Sequence, residues 1–233
     1  MPNPVEALAF YVIFLFSTVL HEGAHAFVAM RGGDKTAYHG GQVSLNPIPH
    51  IKRSPFGMVV LPLISVFTMG WPFGFASAPY NPQWALTHPK RAAIMALAGP
   101  TSNFLLVLIA AVGIRVGTMT GAFHAPDSVS FAHIVGTGGN AGLSGLAFFL
   151  STLFSLNLVL FILNILPLPP LDGSGAMPLL LSDETARKYQ MALWGNPAMS
   201  WIGIIVAWNL FGKLFQPIFL FSVNLLYPGV HYG

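Results

Sequence analysis

Two histidines and a glutamate near the end of the first apolar stretch form the clearest chemical pattern in this chain. His21 and His25 are four residues apart, and Glu22 follows the first of them directly. In a helix this spacing places both imidazoles on one face, where they can bind the same metal ion. The neighbouring carboxylate can act as a general base toward water beside that ion. The pattern therefore predicts a metal site, with Zn²⁺ as the expected ion.

A zinc ion that takes part in a reaction usually has a third protein ligand and one open position. The chain has no cysteine, so the third ligand must be a histidine or a carboxylate. Asp172 is the best candidate, because it follows an apolar stretch and is the only acid between Asp127 and Asp183. Prolines just before it force extended backbone, which can aim a carboxylate into a cavity. The alternative is that these prolines and Gly173 form only a helix stop and a turn.

A third group of residues with chemical potential lies inside a later apolar stretch. Gly99 and Pro100 loosen the helix and free backbone carbonyls, and Asn103 places an amide donor at membrane depth. Such an amide can hold a carbonyl group or stabilise a developing oxyanion. Alternatively, the Gly-Pro pair allows close helix packing and Asn103 joins two helices by a hydrogen bond. The sequence leaves both interpretations open.

The elements that must position these residues are membrane-spanning helices. Of the 233 residues, 54% are apolar and only 7% are charged, whereas about 25% are charged in soluble domains. A span needs about 20 apolar residues, and four stretches are long enough: Val5–Met30, Ala92–Gly117, Leu143–Leu166 and Ala198–Leu226. A fifth stretch, Met58–Phe75, is shorter and interrupted by Pro and Gly, which predicts a re-entrant or broken segment. The sequence thus predicts an all-α polytopic membrane protein.

The direction of the helices can be predicted if all three groups of residues form one site. Val5–Met30 and Leu143–Leu166 must then run in the same direction, and Ala92–Gly117 in the opposite one. Most of the basic residues fall on the side of the site: Arg31, Lys35, Lys52, Arg53, Lys90, Arg91, Arg187 and Lys188. Only Arg115 and Lys213 lie elsewhere. The positive-inside rule predicts that this side is cytoplasmic, so the net charge of +3 reflects topology and not nucleic-acid binding.

The three groups together resemble the motifs of the site-2 protease family, zinc metalloproteases that cleave peptide bonds within membranes. They are His-Glu-x-x-His, Gly-Pro-x-x-Asn and Asn-x-x-Pro-x-Pro-x-Leu-Asp-Gly, and they occur in family order within residues 15–173. The resemblance implies that His21, His25 and Asp172 bind zinc and that Glu22 is the catalytic base.

The resemblance also implies roles for residues that touch the substrate. Asn103 and Asn164 are expected to position or polarise it during catalysis, and Gly99 and Pro100 to help position it. Independently of the resemblance, a modest alternation over Gly40–Leu45 predicts a short edge strand. An extended substrate could pair with such a strand.

The resemblance further predicts the setting of the protein. The substrate would be a transmembrane protein in the lipid bilayer, cut in or near its helix close to the cytoplasmic face of a prokaryotic inner membrane. Residues 1–233 are expected to form one domain, without PDZ or CBS domains. Two alternatives use the same ligands, a metal-binding transporter and a catalytically silent scaffold. Glu22 argues against the scaffold, because a pure binding role does not need that carboxylate, and the scarcity of polar residues in the outer half of the membrane argues against the transporter.

Overall fold

The computed structural model describes residues 2–233, and its helices follow the apolar stretches of the sequence. In chain order the α-helices are α1 (Pro4–Gly32), α2 (Thr36–His39), α3 (Pro47–Arg53), α4 (Leu61–Met69), α5 (Pro82–Thr87), α6 (Pro89–Met119), α7 (Ala141–Ile165), α8 (Asp172–Ala176), α9 (Asp183–Gly195) and α10 (Pro197–Leu226). A π-helical turn, Phe56–Val60, leads into α4, and a 3₁₀ turn, Met177–Leu180, follows α8. The helices α1, α6, α7 and α10 are long and apolar enough to cross a membrane. The predicted all-α polytopic fold is confirmed.

Helix α1 begins and ends at residues whose chemistry suits helix termini. The side chain of Asn3 accepts hydrogen bonds from the first turn, and the Glu6 carboxylate accepts one from the Asn3 N–H, which is a capping box. The helix ends before Gly33, whose φ of 107° lies in the left-handed region that glycine tolerates. At 1.5 Å per residue, His25 lies about 10 Å before the end of α1. The histidines are therefore well inside the bundle.

Helix α6 is the centre of the bundle and packs against both α1 and α7. His25 contacts Met95 on α6, whereas Gly32, later on α1, contacts Arg91, earlier on α6. These pairs show that α1 and α6 are antiparallel. The contacts between α6 and α7 follow the same antiparallel order. As the sequence predicts, α1 and α7 therefore run in the same direction and α6 runs in the opposite one.

The fifth apolar stretch forms a hairpin of one helix and one extended strand-like return. The helix from Phe56 to Met69 is bent by 114° against α3, and the chain reverses at Gly70, whose φ is 82°. On the way back, the Phe75 N–H donates to the Gly57 carbonyl at 3.0 Å. The two ends of this hairpin therefore lie at the same end of the bundle, in agreement with the prediction of a broken segment.

The edge strand predicted for Gly40–Leu45 is wrong, because this segment turns back on α2. Gly41 has a φ of 74°, which belongs to a turn, and the Gln42 N–H donates to the Ala37 carbonyl at 3.0 Å. No strand is assigned anywhere within residues 2–233, where the only pairings are isolated bridges in the loop between α6 and α7. The weak alternation of apolar and polar residues in this segment does not indicate that its backbone turns back on α2.

Helix α10 lies at the edge of the bundle and leaves most of its surface uncovered. Only 11% of its most apolar window is buried, and Trp201 and Ile205 are among its exposed side chains. It approaches the turn after α7 closely at Gly203, where an added Cβ would overlap the Pro169 carbonyl. Through this contact α10 packs against the turn that leads from α7 to α8.

Candidate metal centre

Three side chains from two distant parts of the chain converge between α1, α6 and α8. His21 Nε2 lies 3.0 Å from Asp172 Oδ2, and His25 Nε2 lies 3.3 Å from the same atom. The two Nε2 atoms are 3.1 Å apart. Tetrahedral ligands that sit about 2.0–2.1 Å from zinc are about 3.3 Å from one another. The observed spacing therefore fits one ion bound by all three residues.

The second ring nitrogen of each histidine shows which nitrogen carries the proton. His25 Nδ1 lies 2.7 Å from the Met95 carbonyl oxygen, which can only accept, so this nitrogen donates. His21 Nδ1 lies 2.6 Å from Asn103 Oδ1 and donates to it in the same way. When the imidazoles are neutral, both Nε2 atoms then present lone pairs toward the Asp172 carboxylate, whose Oδ2 is buried without a hydrogen-bond partner among residues 2–233. A cation satisfies three facing lone pairs, so the donor set fits a zinc ion.

Glycine at position 99 provides the space in which such an ion fits. A Cβ at Gly99 would lie 2.5 Å from His21 Nε2 and would overlap His25 Nε2. Pro100, the next residue, has no N–H to donate to the Ala96 carbonyl four residues earlier. Ala96 lies on the wall of the cavity beside the site. The Gly-Pro pair thus provides room for a metal and removes the usual helical donor to the Ala96 carbonyl.

The Glu22 carboxylate is placed to act on a molecule beside the metal. It is only 5% exposed, and it lines a cavity of about 370 Å³ together with His25 and Asp172. Among residues 2–233, no hydrogen bond or ion pair engages this carboxylate. A buried carboxylate without a protein partner beside a metal centre is the arrangement expected of a general base.

The rest of the cavity wall comes from outside the three motifs. One part is the extended return of the hairpin at Ala76–Tyr80, and another is α9, through Tyr189, Gln190 and Trp194. The Tyr189 hydroxyl donates to the Ser174 carbonyl at 3.0 Å and holds α9 against α8. Burial raises the pKa of Tyr80 despite a hydrogen bond with Trp194, so the Tyr80 hydroxyl stays neutral. Because these wall residues are neutral, Glu22 is left as the general base of the cavity.

The two asparagines expected to touch the substrate have different surroundings. Asn103 is fully buried, and its Nδ2 donates to Asn157 Oδ1 at 2.8 Å while its Oδ1 accepts from His21. Asn164 is half-buried, donates to the Leu160 carbonyl at 3.0 Å, and does not line the cavity. In this structure Asn103 therefore acts on a metal ligand and not on the open cavity.

Sequence reasoning did not assign Asn157, Met95 or the wall of α9 to the site. Asn157 does carry a signal in the sequence, since an amide in an otherwise apolar span predicts a polar track or a hydrogen bond that joins two helices. Met95 contributes only its backbone carbonyl, which no side-chain pattern shows.

Comparison with known families agrees with this geometry. A profile described as "Peptidase family M50" matches residues 9–206. The chain belongs to peptidase family M50. The resemblance to the site-2 protease family is thereby confirmed, and the M50 match covers all three motifs.

Curated relatives of this M50 peptidase carry metalloprotease names. The candidate zinc metalloprotease YwhC of Bacillus subtilis is 37% identical over 92% of this chain and 96% of its own length. The candidate zinc metalloprotease Rip2 of Mycolicibacterium smegmatis is 32% identical over 83% of this chain, which corresponds to 62% of Rip2. A Rip2 of Mycobacterium tuberculosis is 29% identical over 88% of this chain and 76% of its length. No solved structure gives a significant match to the chain.

Proposed function

We propose that this M50 peptidase is a zinc-dependent intramembrane endopeptidase that hydrolyses a peptide bond in or near a transmembrane helix of a protein substrate. The observation that carries this proposal is the convergence of His21, His25 and Asp172 beside the unpaired carboxylate of Glu22. The relatives named as candidate zinc metalloproteases support zinc as the ion.

The residues of the chain have separate tasks in this reaction. His21, His25 and Asp172 hold the zinc, which when bound acts as a Lewis acid and lowers the pKa of water to about 7. Glu22 accepts a proton from the attacking water and delivers it to the nitrogen of the leaving amine. The proton balance closes within one turnover, because Glu22 returns to its ionised form.

The substrate must be extended at the cleavage site, because the peptide bonds of a helix are shielded by their own hydrogen bonds. We propose that the free Ala96 carbonyl, left without a donor by Pro100, accepts a hydrogen bond from a substrate N–H. This gives Gly99 and Pro100 the substrate-positioning role expected from the sequence. The corresponding role of Asn164 stays a prediction, with one amide hydrogen and the carbonyl oxygen of this side chain still available.

The orientation in the membrane is also part of the proposal. The end of the bundle nearest the site carries eight of the ten Lys and Arg residues. Cytoplasmic segments carry such an excess of positive charge. We therefore place the cleavage near the cytoplasmic face of a prokaryotic inner membrane, with all residues of the chain acting as one protease domain.

The decisive experiment compares the parent chain with Glu22→Gln in liposomes that contain single-span substrate proteins. We expect zinc at one ion per chain in both proteins. We expect the parent to cleave the substrate at least 10²-fold faster than the variant. Equal cleavage in both would exclude Glu22 as the base and indicate a contaminating protease.

The two alternatives give different results in the same experiment. A silent scaffold binds the substrate helix in both proteins without cleavage. A transporter moves zinc across the liposome membrane, and this flux would not require cleavage of any peptide. Absence of bound zinc in the parent would contradict the metal centre itself.

A further inference from the structure

We propose that Asn157 is a positioning residue of the metal centre, which fixes the tautomer of His21 through Asn103. This inference rests on the proposed zinc site. Hydrogen bonds connect four buried side chains in one line: His21 on α1, Asn103 on α6, Asn157 on α7 and Ser17 on α1. Asn103, Asn157 and Ser17 are each 0% exposed, so no solvent water competes for their hydrogen bonds.

The direction of every hydrogen bond in this line follows from its far end. The Leu153 carbonyl can only accept, so the group of Asn157 that lies 2.8 Å from it must be the NH₂. The same NH₂ also donates to Ser17 Oγ at 2.9 Å. Asn157 Oδ1 is therefore the atom that faces Asn103, and it can only accept.

The orientation of Asn157 in turn determines the orientation of Asn103 and the tautomer of His21. Because Asn157 offers an acceptor, Asn103 must present its Nδ2, at 2.8 Å, and its Oδ1 is turned toward His21. Asn103 Oδ1 in turn requires a proton on His21 Nδ1, 2.6 Å away. His21 Nε2 is left with a lone pair for the metal. Without Asn157 the Asn103 amide could rotate by 180° and present a donor to His21, which would favour the wrong tautomer.

The first test measures zinc affinity with a competing chelator. Asn157→Leu removes the acceptor for Asn103 at similar volume, and we expect zinc affinity to fall about tenfold, at the lower end of the range for partners of metal ligands. Ser155→Ala is the matched control, since Ser155 is a buried hydroxyl on α7 without a hydrogen-bond partner among residues 2–233.

The second test measures the tautomer directly, and its first readout is made on the folded parent. In the metal-free parent labelled with ¹⁵N-histidine, we expect His21 to carry its proton on Nδ1, with the signal assigned by its loss in His21→Gln. Asn157→Leu should add an Nε2-protonated population. A parent His21 protonated on Nε2, or a folded Asn157→Leu with parental zinc affinity, would overturn the inference. Absence of zinc in the parent would instead contradict the proposed function.

A separate observation on α9 supports a second inference, that Gln190 positions the substrate. Gln190 is only 6% exposed, and its Oε1 is buried without a hydrogen-bond partner among residues 2–233. Its side chain lines the same cavity as Glu22. A buried amide oxygen needs a donor, and an extended peptide in an apolar cavity has N–H groups that need acceptors. We infer that Gln190 Oε1 accepts a hydrogen bond from a backbone N–H of the bound substrate.

This inference also rests on the proposed function, and its test separates binding from chemistry. Gln190→Met removes the acceptor at similar length, and we expect KM to rise about fivefold while kcat and zinc content stay within twofold of the parent. Gln190→Glu keeps an acceptor oxygen and should return KM toward the parental value. Gln83→Met on the exposed face of α5 is the control. A parental KM for Gln190→Met would overturn the inference, because the orphaned oxygen would then be satisfied by water.

Discussion

The residues with the least freedom at the metal centre are those whose atoms approach the two Nε2 atoms. Gly99 is the clearest example, and Gly99→Ala should abolish stoichiometric zinc binding. Its new methyl group would occupy the space between His21 and His25. Metal analysis of the purified variant checks this. In Gly145→Ala, on an open face of α7, zinc binding should be unchanged and the helix slightly more stable, by at most about 1 kcal/mol. Full zinc occupancy of Gly99→Ala would contradict the location of the site.

Asp34, just after α1, makes a different contribution, which depends on pH. Burial alone would raise the pKa of this carboxyl, but hydrogen bonds from Thr36 and from the Asn81 N–H lower it below the usual value. The stabilisation that Asp34 provides is therefore present above its unfolded pKa of about 3.9 and is lost as the pH falls through the lower folded pKa.

We predict that Asp34→Asn destabilises the protein at pH 7 by about 1.5–3 kcal/mol, the usual range for hydrogen bonds to a charged group. The variant should also lose part of the decrease in Tm that the parent shows below about pH 4. Thermal unfolding in detergent between pH 2 and pH 7 measures both effects. Asp127→Asn, at an exposed carboxylate in the loop after α6, should behave like the parent. Identical pH profiles for the parent and Asp34→Asn would exclude this role.

At the residue scale, prediction succeeded where the pattern is local. The i, i+4 spacing of His21 and His25 fixes their common face regardless of the rest of the fold. Asp172 could be selected because the chain offers few other acids. The partner of Asn103 could not be predicted, since it depends on how α6 and α7 are rotated against each other, and no spacing within either helix determines that rotation.

At the scale of elements, the segment that carries Asp172 depends on one cation for its position. Lys90 Nζ donates to the carbonyls of Pro178 and Leu179, at 2.8 and 3.2 Å, and also to that of Leu181. Pro178 and Leu179 belong to the 3₁₀ turn that directly follows α8, and Leu181 is the residue after that turn. Lys90 thus ties the segment after Asp172 to the first turn of α6, the helix whose Met95 carbonyl contacts His25.

We predict that Lys90→Met weakens zinc binding and lowers the free energy of unfolding by about 1.5–3 kcal/mol, because three carbonyls lose a charged donor. Chelator competition and thermal unfolding measure the two effects. Lys188→Met is the matched control, because among residues 2–233 Lys188 forms only an exposed i, i+4 pair with Glu184 on α9, and such pairs contribute about 0.3–0.5 kcal/mol. Equal effects of the two substitutions would show that Lys90 has no special role at the site.

The lengths of the elements were predicted better than their details. Each of the four predicted spans begins and ends within about three residues of an observed helix, because about 20 apolar residues in a row leave few other possibilities. The π-helical turn at Phe56–Val60 and the wrong strand at Gly40–Leu45 show the limit of this approach. Both depend on close backbone contacts, such as that between Gly57 and Phe75, which the apolar pattern does not determine.

At the scale of the whole molecule, the topology rests on the hairpin between α3 and α5. Its helix reaches deep into the bundle, since Trp71 near the tip lies 5.7 Å from Phe131 in the loop between α6 and α7, measured between ring centroids. The hairpin therefore extends through most of the bundle, yet both its ends return to the side of the metal centre. A site that faces the cytoplasm requires Lys52 and Gln83, which flank the hairpin, to lie on that side together.

The absence of cysteine from the chain makes this arrangement directly measurable. We predict that Lys52→Cys and Gln83→Cys react with a membrane-impermeant maleimide only after the cells are permeabilised, whereas Thr120→Cys, just after α6, reacts in intact cells. All three positions are exposed, so a difference in labelling reports the side of the membrane and not burial. The inverse pattern would place the metal centre outside, against the positive-inside rule, and labelling of Lys52 and Gln83 from opposite sides would mean that the hairpin crosses the membrane once.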